Sequence, residues 1–497
     1  MQSQEIKPTD PKNEEVLDNN ELSIWEALIP VFALIGMLFY NVFFAFGDDA
    51  LSGSNQFILL MGGAVAAIVG FYNKVKFDQM LEEVAQNIKS TAGAILILLM
   101  VGALAGTWLI SGIIPTMIYY GLQVLNPTIF LASCVIICAI ISIATGSSWT
   151  TSATVGIALI GIANALDISL GMTAGAILSG AYFGDKISPL SDTTNLAPAM
   201  AGTDLFTHIR YMLYTTVPTL TVTLIAFIII GLNLDTTGPA DTHQILAAVK
   251  ESINISPWLF LVPIIVVILI VKKTPPLIAL LIGTLLAAIA ALIFQPNIVA
   301  AMGGGTSLNL ENGYKGIMNA ITVDTNIPTN NAALKDLFSS GGMAGMLNTI
   351  WLILCAMTFG GIMDAIGALS IISKKLLSLF HTTFGLFAST VFSCLTLNIT
   401  ASDQYLAIVI PGKMYAKAFK DKGLAPENLS RTLEDSGTVT SVLIPWNTCG
   451  AYHSGVLGVD TLHYAGYAIF NWLSPFMTLL FAAFRIKIRE LSPSNNP

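Results

Sequence analysis

The chain has 497 residues, of which 10% are charged and 54% apolar, and its mean hydropathy is +0.74. Soluble proteins carry about 25% charged residues, and so few ionised groups could not cover the surface of a water-soluble fold of this size. The composition indicates a polytopic α-helical membrane protein, so the lipid bilayer is an expected partner. The net charge of −8 comes largely from the polar N-terminus, and no basic stripe supports nucleic-acid binding.

Apolar runs follow one another along the chain after a polar N-terminal tail. A bilayer crossing needs about 20 mostly apolar residues, and several of the runs are shorter than that. In chain order they are Ala27–Phe46, Phe57–Tyr72, Ala92–Ile110, Thr128–Ala144, Thr150–Ala165, Gly171–Gly184, Tyr214–Leu232, Trp258–Val271, Pro276–Phe294, Gly342–Ile366, Phe384–Leu397, Gln404–Met414, Thr438–Ala451 and Tyr464–Phe484.

The positions of lysine and arginine predict the orientation of these runs. Basic residues cluster at the N-terminus, after the second run, after Val271, around Lys413–Arg431 and at the C-terminus. The positive-inside rule then places both termini in the cytoplasm of a multi-pass protein of the cell inner (plasma) membrane. The first half therefore starts inside and the second outside, which predicts two inverted repeats. The predicted units are a tail (1–26), a first repeat (27–232), a connector (233–257), a second repeat (258–484) and a C-terminal tail (485–497).

Each half has two polar interruptions in matching order. They are Thr145–Ser148 and Gly184–Asn195 in the first half, and Leu397–Asp403 and Glu434–Thr448 in the second. Irregular backbone at membrane depth must line a cavity or be packed in protein. The carboxylates, hydroxyls, amides and freed carbonyls of these interruptions are hard oxygen ligands that suit Na⁺ or H⁺.

The acidic residues of the interruptions are the first functional candidates, because an ionisable group in a membrane costs about 2.5–3.5 kcal/mol on insertion scales. A functional role is favoured for Asp192. For Asp185 the competing reading is a pair with the adjacent Lys186 that only anchors the helix. Functional and structural readings remain equally open for Asp403 and for the Glu434–Asp435 pair, whereas His453 is expected to be a packed structural residue.

Four stretches resemble the NhaC-type Na⁺/H⁺ antiporter family: Trp25–Pro30, Gly175–Ala197, Leu429–Thr438 and Ile444–Gly450. The resemblance extends from about Ser23 to Arg485. It implies an ion-transporter-superfamily fold: an all-α polytopic protein of two inverted repeats with re-entrant hairpins and broken helices, working as a homodimer by an elevator motion. On this analogy the hairpin tips are Thr145–Ser148 and Asn398–Asp403, and the broken helices centre on Asp192–Asn195 and Asn447–Thr448.

The leading hypothesis is Na⁺/H⁺ antiport, in which one carboxylate binds either Na⁺ or H⁺ but not both. Asp192 is the main candidate for that carboxylate, with Thr193 and Asn195 beside it as Na⁺ ligands. The remaining candidate site residues are Ser147, Ser148, Asp185, Ser191, Thr194, Asn398, Thr400, Asp403, Asp435, Asn447 and Thr448.

An alternative keeps the fold and changes the cargo to a small organic acid or an amino acid, carried with Na⁺ or H⁺. Lys186 and Arg431 could then bind an anion, and Trp149, Trp446 and Tyr452 could wall the site. An intramembrane enzyme is disfavoured, because the sequence has no HExxH zinc motif and no GxSxG serine turn at a helix start. No cofactor is expected beyond Na⁺ and H⁺ as transported or coupling ions.

Overall fold

The computed structural model describes residues 19, 21–46, 53–124, 127–234, 239–272, 274–329, 338–378 and 382–491. Within these ranges the fold is almost entirely helical, and the strands are limited to one antiparallel pair, β1 (Thr325–Asn326) with β2 (Ser339–Ser340). The predicted all-α fold is confirmed. Most of the predicted N-terminal tail lies outside the described residues.

The first half of the described chain forms a run of helices connected by short turns. Its α-helices are α1 (Ile24–Tyr40), α2 (Ser54–Tyr72), α3 (Phe77–Ile110), α4 (Ile113–Val124), α5 (Phe130–Thr145), α6 (Ser148–Thr151), α7 (Ile157–Ala165), α8 (Leu170–Ile187), α9 (Asp192–Ala201) and α10 (Leu205–Leu232). Single turns of π- or 3₁₀-helix lie at Asn41–Phe46, Pro127–Ile129 and Ser152–Gly156.

The second half continues in the same manner. Its α-helices are α11 (Pro239–Ser252), α12 (Leu261–Val271), α13 (Pro276–Phe294), α14 (Pro296–Met302), α15 (Leu310–Thr322), α16 (Gly342–Gly345), α17 (Leu347–Ala365), α18 (Ala368–Ser378), α19 (Thr383–Thr400), α20 (Leu406–Asp421), α21 (Pro426–Leu433), α22 (Thr448–Leu457), α23 (Thr461–Ala465) and α24 (Ile469–Ala483). Short π or 3₁₀ turns lie at Pro257–Phe260, Glu434–Thr438 and Ser441–Leu443.

Eight helical segments of the described chain are long and apolar enough to cross a bilayer, or nine if the bent pair Leu246–Ser252 and Pro257–Val271 forms one span. The eight are Ile24–Phe46, Ser54–Tyr72, Phe77–Ile110, Pro127–Thr145, Leu205–Leu232, Pro276–Phe294, Gly342–Ala365 and Thr383–Thr400. The protein is therefore a multi-pass membrane protein.

The same kinds of element follow each other in both halves. After the earlier helices of each half comes a helical hairpin, formed by α5 with α6–α7 in the first half and by α19 with α20 in the second. A broken helix follows, α8–α9 in the first half and α21–α22 in the second, and a long helix (α10 or α24) closes each series. This order is what two repeats require, while the boundaries given above stay predictions.

Helices α2, α3, α13 and α17 pack against one another, and we call them the scaffold helices. Their contacts are close because glycine stands at the crossing points. A Cβ at Gly361 of α17 would lie 2.7 Å from Cα of Val84 in α3, and one at Gly106 of α3 would lie 1.8 Å from the carbonyl oxygen of Ala320 in α15. Small residues at such crossings let helix backbones approach in a membrane, where dispersion contacts drive association.

Two of the apolar runs are interrupted, one at a predicted break and one at a break that was not predicted. Thr438–Ala451 is divided at residues 444–447, where Ile444 is extended and Pro445 follows it. Proline lacks an N–H group and disfavours helical backbone in the residue before it, so the helix must stop there. Tyr464–Phe484 is divided between α23 and α24 at Ala468. The predicted break in Thr438–Ala451 is therefore confirmed, whereas the division of Tyr464–Phe484 was not predicted.

Candidate ion-binding site

The tip of the first hairpin binds a carboxylate of the first broken helix. Helix α5 ends at Gly146, whose φ of +70° suits glycine, and α6 begins at Ser148. Oδ2 of Asp185 accepts hydrogen bonds from the Ser148 backbone N–H (3.1 Å) and hydroxyl (2.6 Å). A helix start favours a negative charge, so the two donors offset part of the cost of burying the Asp185 carboxylate. Ser147 caps the same helix by accepting from the N–H of Thr150.

Asp185 is buried, and its carboxylate binds Ser148 and not the adjacent Lys186. The structural reading of Asp185 paired it with the adjacent Lys186, and this is wrong. Because neighbouring residues on a helix point about 100° apart, the two side chains turn to different elements. Lys186 Nζ forms an ion pair with Oδ1 of Asp435 in the second half, and both side chains are fully buried.

The first break, residues 188–191, is lined by hydroxyl groups that satisfy freed backbone carbonyls. The Thr194 hydroxyl donates to the carbonyl oxygens of Asp185 (3.1 Å) and Lys186 (3.0 Å). Ser191 caps α9 by accepting from the N–H of Thr194, and its hydroxyl lies 3.2 Å from that of Thr193. The break is therefore held by local hydrogen bonds on both sides.

Asp192 lies in a more open environment than Asp185. Its side chain is exposed, Oδ1 accepts from the N–H of Thr193 at 2.8 Å, and Oδ2 accepts from the hydroxyl of Tyr405 near the second hairpin tip. Asn195 is also exposed, and its amide donates to the carbonyls of Pro189 (3.0 Å) and Ser191 (2.6 Å). Asp192, Thr193 and Asn195 lie at one end of α9, and their role as Na⁺ ligands stays a prediction.

Amides hold the second hairpin against the second broken helix. Asn398 Nδ2 donates to the Gly437 carbonyl (2.8 Å) and to the Thr440 hydroxyl (3.0 Å). Asn447 Nδ2 donates in turn to the carbonyl (3.0 Å) and side-chain oxygen (3.2 Å) of Asn398. These groups are buried, so the two asparagines join the break at residues 444–447 to the hairpin without any formal charge.

Three other predicted residues of the second half make hydrogen bonds at or near the hairpin tip. Asp403 Oδ1 accepts from the N–H groups of Tyr405 (2.8 Å) and Leu406 (3.1 Å) at the start of α20. The Thr400 hydroxyl donates to the carbonyl of Thr396 in the preceding turn. The Thr448 N–H donates to the Ser402 carbonyl at 2.9 Å, which ties α22 to the hairpin tip.

Glu434, whose role the sequence left open together with that of Asp435, was not included among the predicted site residues. It starts the π-helical turn Glu434–Thr438 and is fully buried, within electrostatic reach of Asp185, Lys186 and Asp435. The Thr438 hydroxyl lies beside it, yet neither Glu434 oxygen makes a hydrogen bond of regular geometry in the described chain. The sequence could have indicated Glu434 as a site residue, because it adjoins Asp435 at a predicted break.

Three buried carboxylates, those of Asp185, Glu434 and Asp435, lie near one buried lysine, Lys186, which pairs with Asp435. Oδ1 of Asp185, Oδ2 of Asp435 and both oxygens of Glu434 lack hydrogen-bond partners in the described ranges. The three carboxylates are not arranged to hold a metal ion jointly, since no group of three His, Cys, Asp or Glu side chains in the described residues could do so. Asp185 and Ser148 instead form a compact group of oxygen atoms, and Glu434 is a buried acid beside the Thr438 hydroxyl.

Two further buried residues lie near these groups. The Arg431 guanidinium stacks on the Tyr211 ring at 4.5 Å, and its Nε and Nη2 have no hydrogen-bond partner in the described chain. His453 is enclosed by the rings of Tyr182 (5.5 Å) and Tyr452 (5.2 Å), and the structure shows it as a packed residue.

Comparison with known proteins assigns the family. The model of a family described as the Na⁺/H⁺ antiporter family matches residues 180–486, a range that contains the breaks of both broken helices and the second hairpin. The chain belongs to this family. The resemblance identified in the sequence is thereby confirmed.

Similar proteins have been named for different cargoes. The Na⁺/H⁺ antiporter NhaC of Alkalihalophilus pseudofirmus is 37% identical over 87% of this chain and 90% of its own length. A malate-2H⁺/Na⁺-lactate antiporter of Bacillus subtilis is 35% identical over 87% of this chain and 88% of its own. An arginine/ornithine antiporter of Halobacterium salinarum is 32% identical over 98% of both. All three are named as antiporters.

Proposed function

We propose that this protein is a Na⁺/H⁺ antiporter that works by alternating access. The observation that supports this most directly is the buried group of Asp185, Glu434 and Asp435, which has one lysine as its ion-pair partner. An unpaired charge buried in protein carries a penalty of several kcal/mol. Even when the buried Arg431 near Asp435 is counted as a second cation, one of the three carboxylates is in excess and must bind a proton or a small cation. A carboxylate that holds only one of the two at a time exchanges them.

In this proposal Asp185 and Ser148 bind Na⁺, and Glu434 carries a proton. Asp185 offers a free Oδ1, and Ser148 offers its hydroxyl oxygen, both ligands that a hard cation prefers. Asp192, with Thr193 and Asn195, is proposed to bind the ion first, because Asp192 and Asn195 are exposed at the break. A hairpin tip and a broken helix can separate without unfolding, which suits a site that opens to either side.

We also propose the membrane arrangement expected from the sequence. Both termini lie in the cytoplasm, and the protein belongs to the cell inner membrane, which the distribution of lysine and arginine supports. The two repeats, 27–232 and 258–484, enter the bilayer from opposite sides around the connector 233–257. A homodimer with an elevator motion follows from the family resemblance.

Purified protein in proteoliposomes tests the function directly. A pH gradient is imposed, and a fluorescent pH probe is followed as Na⁺, K⁺ or choline is added. We expect Na⁺ alone to collapse the gradient with no organic solute present. If Na⁺ has no effect without such a solute, Na⁺/H⁺ antiport is not the activity.

A coupled carrier of a small organic acid or amino acid is the second candidate. Its support is Arg431, whose Nε and Nη2 could bind a carboxylate, whereas Lys186 is already paired. The names of two relatives, the malate/lactate and arginine/ornithine antiporters, point the same way. The same vesicles distinguish it: the pH response would then require malate, lactate or arginine, and Arg431→Lys would weaken the response because lysine cannot form the two-pronged contact.

A further inference from the structure

Helix α15 presents two different stripes on its exposed side. Leu310 (93% exposed), Tyr314 (67%) and Met318 (37%) are spaced four residues apart and so share one face of the helix. Glu311, Lys315 and Asn319 lie next to them on the same exposed side. The opposite face, with residues such as Gly316 and Ala320, is buried against α14 and α3. The exposed side is thus apolar along one edge and polar along the other.

The apolar stripe lies beside the surface with which α13 faces lipid. Leu292 and Ile293 are exposed near the end of this span, and a Cβ at Gly313 of α15 would lie 3.7 Å from Cδ2 of Leu292. Exposed apolar groups on a membrane-spanning helix contact acyl chains. Leu310, Tyr314 and Met318 therefore extend an apolar surface that the bilayer already covers.

The level of α15 along the membrane normal can be read from the helices it touches. Ala320 packs on Gly106, near the end of α3 that is farthest from Lys74 and Lys76. Phe294 ends α13, whose first residues follow Lys272. Trp258 lies near the start of the segment Pro257–Val271, at the opposite end from Lys272, and is 69% exposed. Exposed Trp and Tyr residues mark the headgroup level of a bilayer.

We propose that α15 is an interfacial helix that lies in the leaflet opposite the lysine-rich side of the protein. Leu310, Tyr314 and Met318 enter the boundary between headgroups and acyl chains, while the Glu311–Lys315 pair (2.6 Å) faces water. Amphipathic helices of this kind bind the bilayer through buried apolar area. Because α15 packs on α3, this contact fixes the depth of the scaffold helices in the membrane.

Spin labelling of the full-length protein in proteoliposomes tests the proposal, and it does not depend on the proposed transport activity. All five cysteines are buried in the structure, so a nitroxide can be directed to Tyr314→Cys or, as the matched control, to Lys315→Cys. Both positions are exposed. We expect the ratio of collision rates with oxygen and with a water-soluble nickel chelate to be several-fold higher at position 314 than at 315.

Two results would overturn the proposal. Equal and high nickel collision rates at both positions would show that α15 lies in water. Shielding of position 314 from both reagents, with dipolar broadening between labels, would show that a second copy of the chain covers the stripe. An elution profile on size-exclusion chromatography that matches that of the unmodified protein confirms that both variants are folded.

Discussion

The two helical hairpins meet their broken helices through different chemistry. In the first half, the tip at Ser148 donates two hydrogen bonds to the buried carboxylate of Asp185. In the second half, Asn398 and Asn447 bind each other and the backbone, with no formal charge between them. The second half contributes its charge elsewhere, through Asp435 to Lys186 of the first half. In the proposed function, the first junction responds to cations and the second holds its geometry.

The largest effect should come from Asp185→Asn. Asparagine keeps the shape and can still accept from Ser148, but it loses the charge and cannot exchange Na⁺ for H⁺. We expect Na⁺-dependent dissipation of the pH gradient to fall to the level of empty vesicles, while the melting temperature stays near that of the unmodified protein. Wild-type exchange by this variant would remove Asp185 from the mechanism.

Lys186→Met should chiefly change stability. Removing one partner of a buried ion pair leaves the other charge unpaired, which typically costs about 3–5 kcal/mol. A thermal melt monitored by tryptophan fluorescence in detergent should show this loss. The double variant Lys186→Met with Asp435→Leu should recover much of it, because an apolar pair replaces the unpaired charge. A double variant no more stable than the single one would contradict this account.

Asn398→Ala tests the neutral junction of the second half. The change removes the hydrogen bond from Asn398 Nδ2 to the Gly437 carbonyl, which is then left without that donor, at a cost of about 1–3 kcal/mol for buried groups. It also removes the weaker bond from Asn447 Nδ2 to Asn398 Oδ1, while the bond to the Asn398 backbone carbonyl stays. We expect a lower melting temperature with the Na⁺ dependence of exchange unchanged in the folded fraction. A large shift in the Na⁺ concentration for half-maximal exchange would mean that these amides bind the ion, and the contrast between the two junctions would fail.

Asp192→Asn should have the smallest effect on stability and a moderate one on transport. Because Asp192 is exposed, water screens its charge, and its contribution to attracting Na⁺ should be below about 1 kcal/mol. We expect the KM for Na⁺ to rise a few-fold at an unchanged maximal rate. Tyr405→Phe, which removes the hydroxyl bound to Asp192, is the matched control and should act in the same direction. Complete loss of exchange in Asp192→Asn would place this residue, rather than Asp185, at the centre of the site.

The sequence alone determined the class of protein, the interruptions and the family. Sparse charge and long apolar runs require a bilayer, and Pro189, Pro445 and the glycine at 146 stop helices for local steric reasons that need no tertiary contacts. The candidate residues Ser148 and Asp185 were therefore found by position. The division of the run Tyr464–Phe484 was not predicted, because hydropathy alone does not detect the break between α23 and α24.

Only the tertiary structure decided which charged groups meet. Lys186 and Asp435 are 249 residues apart, and no local rule distinguishes that pair from the adjacent Asp185 and Lys186. The burial of Glu434 and the exposure of Asp192 likewise depend on how the two halves pack. Local backbone preferences act within a few residues and can be read from the chain, whereas electrostatic partners are set by the long-range packing of helices.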